Sequence, residues 1–297
     1  MNSTNRLQKA LDYLESSLEL GTGQTAELEA AARLAHCSPF HFLRLFDAVF
    51  DTTPIEYVRR RRLSRAAMEL AAGKASILDI ALHHGYETPE AFTKAFKRLF
   101  GLTPSAARSR GATLTLYPPL RMNIERTSQP PLPYRIVARE AFAVVGVGTK
   151  VIMGHGATIL DFWQTRRGDG TVAALVARRQ TPGLIGVCYD YGLADLSFYY
   201  LIGIVEPVNA HAELPSHWQR IDIPAADYAV FTCDGPLAVT VKELWRRIYT
   251  EWFPESGWEH APTPQLQIYT RQYHTACSNQ RCELWIPLQA KPTRRRR

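Results

Sequence analysis

Glu283 stands in the run Arg281-Cys282-Glu283-Leu284-Trp285-Ile286-Pro287, an acid among apolar and aromatic neighbours. The two-residue alternation of a strand puts Glu283 and Trp285 on one side and Cys282, Leu284 and Ile286 on the other. A carboxylate beside an indole suits a bulky organic cation or a hydroxylated organic molecule, held by charge and cation–π attraction. The plainer alternative is an edge-strand glutamate in water, with the tryptophans in the core. Trp245, Tyr249 and Trp252 fall at i, i+4 and i+7 and make one aromatic helix face. Arg44 and Lys94 suggest a second chemistry. Each lies on the outer side of a helix lined with phenylalanine, where a cation can meet phosphates and base edges.

These two cations occupy one position of a pattern written twice, fifty residues apart. Pro39 recurs as Pro89, Phe42 as Phe92, Phe46 as Phe96, Phe50 as Phe100 and Pro54 as Pro104. A regular period means one supersecondary unit built twice. Ser38 and Thr88 are good N-caps, each followed by a proline suited to the first helical position. The phenylalanines at i, i+4 and i+8 form a seam. The outer face is left to Phe40, Leu43, Arg44 and Asp47 in the first copy and to Glu90, Thr93, Lys94 and Lys97 in the second. A short helix and a tight turn precede each copy: Leu28 to Ala35 with His36-Cys37, and Ile77 to His84 with Gly85-Tyr86. That order is the helix-turn-helix pattern. A helical bundle with a phenylalanine core is the alternative, and the matched caps, turns and cations weigh against it.

Leu7, Leu11, Leu14 and Leu18 predict an opening helix, ended by Gly21-Thr22-Gly23. Thr53-Pro54 starts a long helix to Ala72, with Tyr57, Leu63, Ala66, Ala67 and Leu70 inward and its arginines, Arg59 to Arg62 among them, outward. Its length, about 28 Å at 1.5 Å per residue, is comparable to the roughly 34 Å between successive major grooves on one face of DNA. One chain could then cover two half-sites without dimerising.

The 297 residues suffice for two domains. No apolar run approaches the roughly 20 residues of a membrane span, and no signal core opens the chain, so the cytoplasm is expected. The five cysteines form no Cys-x-x-Cys pair. Cys277 and Cys282 could form a redox or metal pair, but scattered reduced thiols fit better, and His83-His84 reads as surface. No metal, cofactor or catalytic residue is expected. Of the net charge of +7, residues 1–120 hold +3, residues 121–290 hold −1 and the last seven hold +5. The basic tail, 291–297, is expected to be disordered, either adding non-specific phosphate attraction or inert. Residues 111–133, framed by Pro118-Pro119 and Pro130-Pro131, read as a linker. From Tyr134 the pattern is strand, strand, helix, strand, strand, written twice, which predicts a duplicated α+β unit.

Residues 5–110 resemble the DNA-binding domain of AraC/XylS-type transcription regulators. The resemblance rests on Ser38-Pro39-x-His41-Phe42-x-Arg44-x-Phe46, Arg62-Leu63-x-x-Ala66, Ile80-Ala81-x-x-x-Gly85-Tyr86 and Phe92-Thr93-Lys94-Ala95-Phe96-Lys97-x-x-Phe100-Gly101-x-Thr103-Pro104. Residues 134–290 resemble the GyrI-like (duplicated SHS2-type) effector-binding domain through Pro224-Ala225-x-x-Tyr228-Ala229-Val230-Phe231, Trp252-Phe253-Pro254-x-Ser256-Gly257 and Cys282 to Pro287. These resemblances imply a multidomain fold, an all-α domain with two helix-turn-helix units (1–110) followed by an α+β domain (134–290). They also imply double-stranded DNA, RNA polymerase and a small-molecule effector, a lipophilic cation or drug, as partners, with no membrane. The base-facing positions would be Phe40, Leu43 and Arg44, then Pro89, Glu90, Thr93 and Lys94. Glu283 matches the family's ligand-contacting glutamate, and the aromatic residues grouped with it give an expected effector-binding set of Tyr200, Trp245, Tyr249, Trp252, Glu283 and Trp285. Two departures stand out: His36 replaces the usual turn glycine, and Leu43 and Glu90 stand where polar base-readers are common. A competing expectation makes the second domain a hydrolase, with Glu283 as a general base whose pKa an apolar site would raise. Fusion to paired helix-turn-helix units favours sensing.

Overall fold

The computed structural model describes residues 3–19, 24–73, 75–110, 113–122, 130–153, 159–193, 195–207, 213–269 and 281–291. The glycine stop after the first helix, Cys277 and the basic tail beyond Lys291 lie outside them. The chain divides into two compact units, Met1–Arg126 and Thr127–Arg297, and the division falls inside the expected linker.

Unit 1 contains α1 (Ser3–Ser16), α2 (Gln24–Ala35), α3 (Pro39–Phe50), α4 (Pro54–Ala72), α5 (Ile77–His83), α6 (Pro89–Phe100) and α7 (Pro104–Arg110). Local chemistry sets the boundaries. Ser38, Thr53 and Thr88 each accept the backbone N–H three residues on, at 3.2 Å, and a proline occupies the first turn of each helix. Ser76 and Asp79 close a capping box on α5. Gly73 and Gly101 end α4 and α6 with φ of +72° and +80°. The two turns share one conformation despite their different residues: Gly85 takes φ +78°, and His36 is held in the same left-handed region at +56°. That conformation costs a residue with a Cβ about 1 kcal/mol.

The phenylalanine seams are real. Phe42, Phe46 and Phe50 follow one another at 5.7 and 4.8 Å between ring centroids, and Phe92, Phe96 and Phe100 at 5.6 and 4.6 Å. Residues 113–122 have no regular structure but are tied down. Tyr117 N–H donates to Ser64 Oγ (3.0 Å), Leu120 N–H to Tyr57 Oη (3.1 Å) and Met122 N–H to Gln8 Oε1 (3.0 Å). The first part of the expected linker therefore belongs to unit 1.

Unit 2 contains β1 (Tyr134–Arg139), β2 (Phe142–Ile152), α8 (Ile159–Gly168), α9 (Thr171–Arg178), β3 (Leu184–Gly192), β4 (Ser197–Glu206), β5 (Gln219–Ile223), β6 (Ala226–Asp234), α10 (Leu237–Arg247), β7 (Trp258–His260), β8 (Gln265–Tyr269) and β9 (Arg281–Ala290). The strands form one sheet in the order β1-β6-β9-β8-β3-β4-β2-β5, with β7 on β9, and every pairing is antiparallel. The order is a palindrome. Strand β2 matches β6, β3 matches β8, β4 matches β9, and the short leading strands β1 and β5 each pair with the other half. The duplication inferred from element order is thus present in the topology, with the leading strands exchanged.

That exchange bends the sheet. Strands β1 and β2 are six places apart in the order, yet only residues 140 and 141 join them; β5 and β6 are likewise six places apart and joined by residues 224 and 225. The two ends must approach each other. One apolar cluster accordingly runs from Phe142, Val144 and Ile223 near one end to Tyr228, Val230 and Trp285 near the other. By strand parity all of these lie on the inner face. The outer face carries the helices, with Trp163 of α8 and Trp252, just beyond α10, packed on Tyr269 and Phe231.

Candidate functional site

Helices α3 and α6 present different surfaces. The outer side of α6 exposes Glu90, Ala91, Lys94, Lys97 and Arg98, with Pro89 and Thr93 half-buried. No ion pair engages these three cations among the described residues. No residue of α3 is fully exposed. Phe40 and Arg44 are half-buried, the guanidinium lying 5.4 Å from the Phe40 ring centroid. Leu43 departs from expectation: it is 1% exposed and part of the core. One residue from Phe42 and three from Phe46, it flanks the seam and is drawn inside with it.

The arginines of α4 do not form the outward basic patch the sequence suggested. Arg59 and Arg60 both bind Glu56, and Arg60 lies over the Tyr117 ring. Arg62 meets Glu27 at 2.9 Å. Arg61, 6% exposed, forks onto Glu15 through Nε (2.8 Å) and Nη2 (3.0 Å) and donates to Tyr117 O. Glu15 also accepts the Tyr57 hydroxyl at 2.5 Å. Burial opposes ionisation of Glu15, but the Arg61 and Tyr57 hydrogen bonds outweigh it and hold its carboxyl below the usual range. Burial and the same carboxylate push the Tyr57 phenol far up. These side chains tie α4 to its neighbours within unit 1.

In unit 2 the expected effector set divides between the faces of the sheet. Glu283 and Trp285 are together on the inner face, and the Trp285 indole donates to Glu283 Oε2 at 3.0 Å. Tyr200 is fully buried on the outer face, where its hydroxyl takes the Trp163 indole N–H (3.0 Å) and meets Gln267 and Tyr269 (3.1 Å each). Trp252 packs on Phe231 and Tyr134, whose side chains also point outward. Trp245 and Tyr249 stack at 5.3 Å, and Tyr249 on Phe253 at 5.7 Å, as helix-layer packing. Alternation decides the split: the even residues 200 and 202 share a face with 186 and 188 across the register, opposite Glu283.

The inner face brings in four residues the sequence reasoning missed. Arg135 Nη2 binds both Glu283 oxygens at 2.9 and 2.8 Å. Its guanidinium lies 5.9 Å from the Trp285 ring centroid, and that of Arg139 lies 5.3 Å from it and 4.0 Å from Phe142. Arg139 has no carboxylate partner among the described residues, and burial lowers its pKa. Tyr228 rests on Trp285 at 5.8 Å, and its buried hydroxyl meets no hydrogen-bond partner among the described residues. Burial pushes this phenol up to about 12. The period-two placement of Arg135 and Arg139 on β1 was the available signal.

Other clusters are less telling. His83 and His84 separate: His83 is exposed, His84 is 4% exposed, and both meet Glu69, at 3.3 and 3.0 Å. Among the described residues, these three form a group that could hold a metal ion, their ligating atoms lying within 4.8 Å of one another. Cys282 faces Cys233 across β9 and β6, both as free thiols that burial pushes up. A cavity of about 120 Å³ in unit 1 touches Leu28, Val58, Arg62, His84 and Tyr86, but its charged side chains are committed to partners in the unit.

Paired helix-turn-helix units followed by a curled, duplicated sheet with an acid–indole site define a two-domain DNA-binding regulator that senses a small molecule. Residues 31–110 match a helix-turn-helix domain family, and residues 132–289 match the GyrI-like small molecule binding domain. The right origin-binding protein of Escherichia coli K12 is 33% identical over 304 residues, covering 97% of this chain and 99% of its own. The transcriptional regulator Rob of Salmonella typhimurium is 34% identical over 124 residues, 41% of this chain and 42% of its own. A structure of SAV2435 bound to tetraphenylphosphonium is 19% identical, covers 53% of this chain and 94% of its own, and has a TM-score of 0.45. The chain belongs to the AraC/XylS-type transcription regulators with a C-terminal GyrI-like small-molecule-binding domain. Nothing in these comparisons supports the hydrolase alternative. No helix among the described residues is long and apolar enough to cross a membrane.

Proposed function

We propose that this regulator binds a lipophilic organic cation on the inner face of unit 2, with Glu283 as counter-charge and Trp285 as aromatic wall. The observation that carries the reading is the state of Glu283. Its side chain is 15% exposed, and it already holds a guanidinium against an indole. A lipophilic aromatic cation can supply the positive charge and the aromatic contact in its place. Trp252, Trp245, Tyr249 and Tyr200 serve the helix layer in this reading. On DNA, Lys94, Thr93, Glu90 and Pro89 of α6 read bases, with Arg44 and Phe40 of α3 as the weaker first half. RNA polymerase is the partner through which binding acts, in the cytoplasm, and the protein carries out no chemical step.

The test is a titration of the full chain with tetraphenylphosphonium. Glu283→Gln keeps the shape and removes the charge, so affinity is expected to fall about tenfold or more, the scale of a lost charged contact. Unchanged affinity in the variant would refute the assignment.

A further inference from the structure

We propose that Arg135 is a built-in competitor for the effector, a tethered cation that occupies the Glu283–Trp285 site until a ligand displaces it. This inference rests on the cation reading above and adds a residue that sets the site's threshold and selectivity. Arg135 makes the two contacts that a ligand cation would need. Its Nη2 sits 2.9 and 2.8 Å from the two Glu283 oxygens, and its guanidinium lies over the Trp285 ring. A ligand cannot pair with Glu283 in the same way while Arg135 remains.

Arg135 is also placed to leave. It lies on β1, the end strand of the sheet, paired on one side only, with β6. Its side chain is 49% exposed, against 15% for Glu283. Released, the guanidinium returns to water by side-chain rotation alone, with no change in the β1–β6 register. Trp285 and Arg139 do not have this freedom, since Trp285 is buried and Arg139 is half-buried against Phe142 and Trp285.

Competition of this kind selects among cations. A tethered group acts at high effective concentration, on the millimolar scale for short tethers. A small, strongly hydrated ammonium gains no more from Glu283 than Arg135 does and must shed its water. A larger aromatic cation keeps a charge attraction to Glu283, has little bound water to shed and also buries apolar area against Trp285, so it can win. The arginine thereby excludes common metabolic cations and admits lipophilic ones.

The experiment compares tetraphenylphosphonium binding by the full chain and by Arg135→Gln, Glu283→Gln and Arg281→Gln. Arg281 lies on the same strand and face, bound to Asp234 and not to Glu283, and its loss changes net charge equally. Arg135→Gln is expected to bind about three- to fivefold more tightly, the scale of a partly exposed ion pair removed from the competing state. Arg281→Gln is expected to stay within about twofold of the wild type. The double variant Arg135→Gln/Glu283→Gln is expected to lose the gain. Tightening confined to Arg135→Gln, or binding seen in that variant and not in the wild type, supports the proposal. Equal or weaker binding by Arg135→Gln overturns it, as does equal tightening by Arg281→Gln, which would mark a net-charge effect. The cation reading itself fails separately, if Glu283→Gln binds as the wild type does.

Discussion

Helix α6 offers the sharpest test of how the protein meets DNA. Lys97 and Arg98 are exposed in its last turn and have no carboxylate partner among the described residues, whereas Arg59 to Arg62 of α4 are all committed internally. If each of the two meets one phosphate, the double variant Lys97→Gln/Arg98→Gln lowers the slope of log affinity against log salt by about 1.8, at about 0.9 per phosphate. Between 0.1 and 0.2 M salt the wild type then loses about 3.5-fold more affinity than the variant does. The folding cost should be small. The two cations complement the helix C-terminus, which is worth a few tenths to about 1 kcal/mol each, and far-UV circular dichroism checks that the helices persist. The assay is fluorescence anisotropy with a random-sequence duplex across a salt series. An unchanged slope with intact helicity would refute the placement of this face on the phosphate backbone. Lys94→Gln should behave differently, costing about 1–3 kcal/mol on a specific site with little effect on random DNA, as a base contact does.

Two further outcomes concern stability, and the tryptophans help to separate the units, because all six lie between Trp163 and Trp285 in unit 2. Glu15→Gln leaves Arg61 buried without its counter-charge and should cost unit 1 about 3 kcal/mol, seen as earlier loss of helical ellipticity with an unchanged tryptophan-fluorescence transition. The wild-type stabilisation has a pH signature. Because the folded carboxyl of Glu15 lies below its usual range, its contribution is present above the unfolded pKa and is lost as pH falls through the folded one. Tyr228→Phe removes a buried hydroxyl with no partner among the described residues and should stabilise unit 2 by about 1 kcal/mol in the tryptophan-fluorescence transition. Destabilisation would show that the hydroxyl is satisfied in solution.

Much of the fold was legible because its signals are local. The fifty-residue repeat, the Ser38, Thr53 and Thr88 caps and the phenylalanine seams each depend on residues within one or two turns of one another. Strands β1 to β6, β8 and β9 were expected from the strand, strand, helix, strand, strand order written twice. The three-residue β7 was not, since it is too short to show a period and exists only through pairing with β9. The arginines of α4 were misjudged for a related reason. Their carboxylates, Glu15 and Glu27, lie 46 and 35 residues away for Arg61 and Arg62, beyond the reach of helical spacing.

The sequence alone determined that two helix-turn-helix units precede a duplicated α+β domain, and that Glu283 and Trp285 share one face. Those facts follow from helix and strand periods and from capping chemistry. It did not determine which other residues join them. Tyr200 and Trp252 were grouped with Glu283 on residue type, and strand register put them across the sheet. Arg135 is 148 residues from Glu283 and reaches it only because β1 pairs with β6, and β6 with β9. Strand order and register are long-range choices made by the curled sheet as a whole. They filled the acid's site with one of the protein's own arginines.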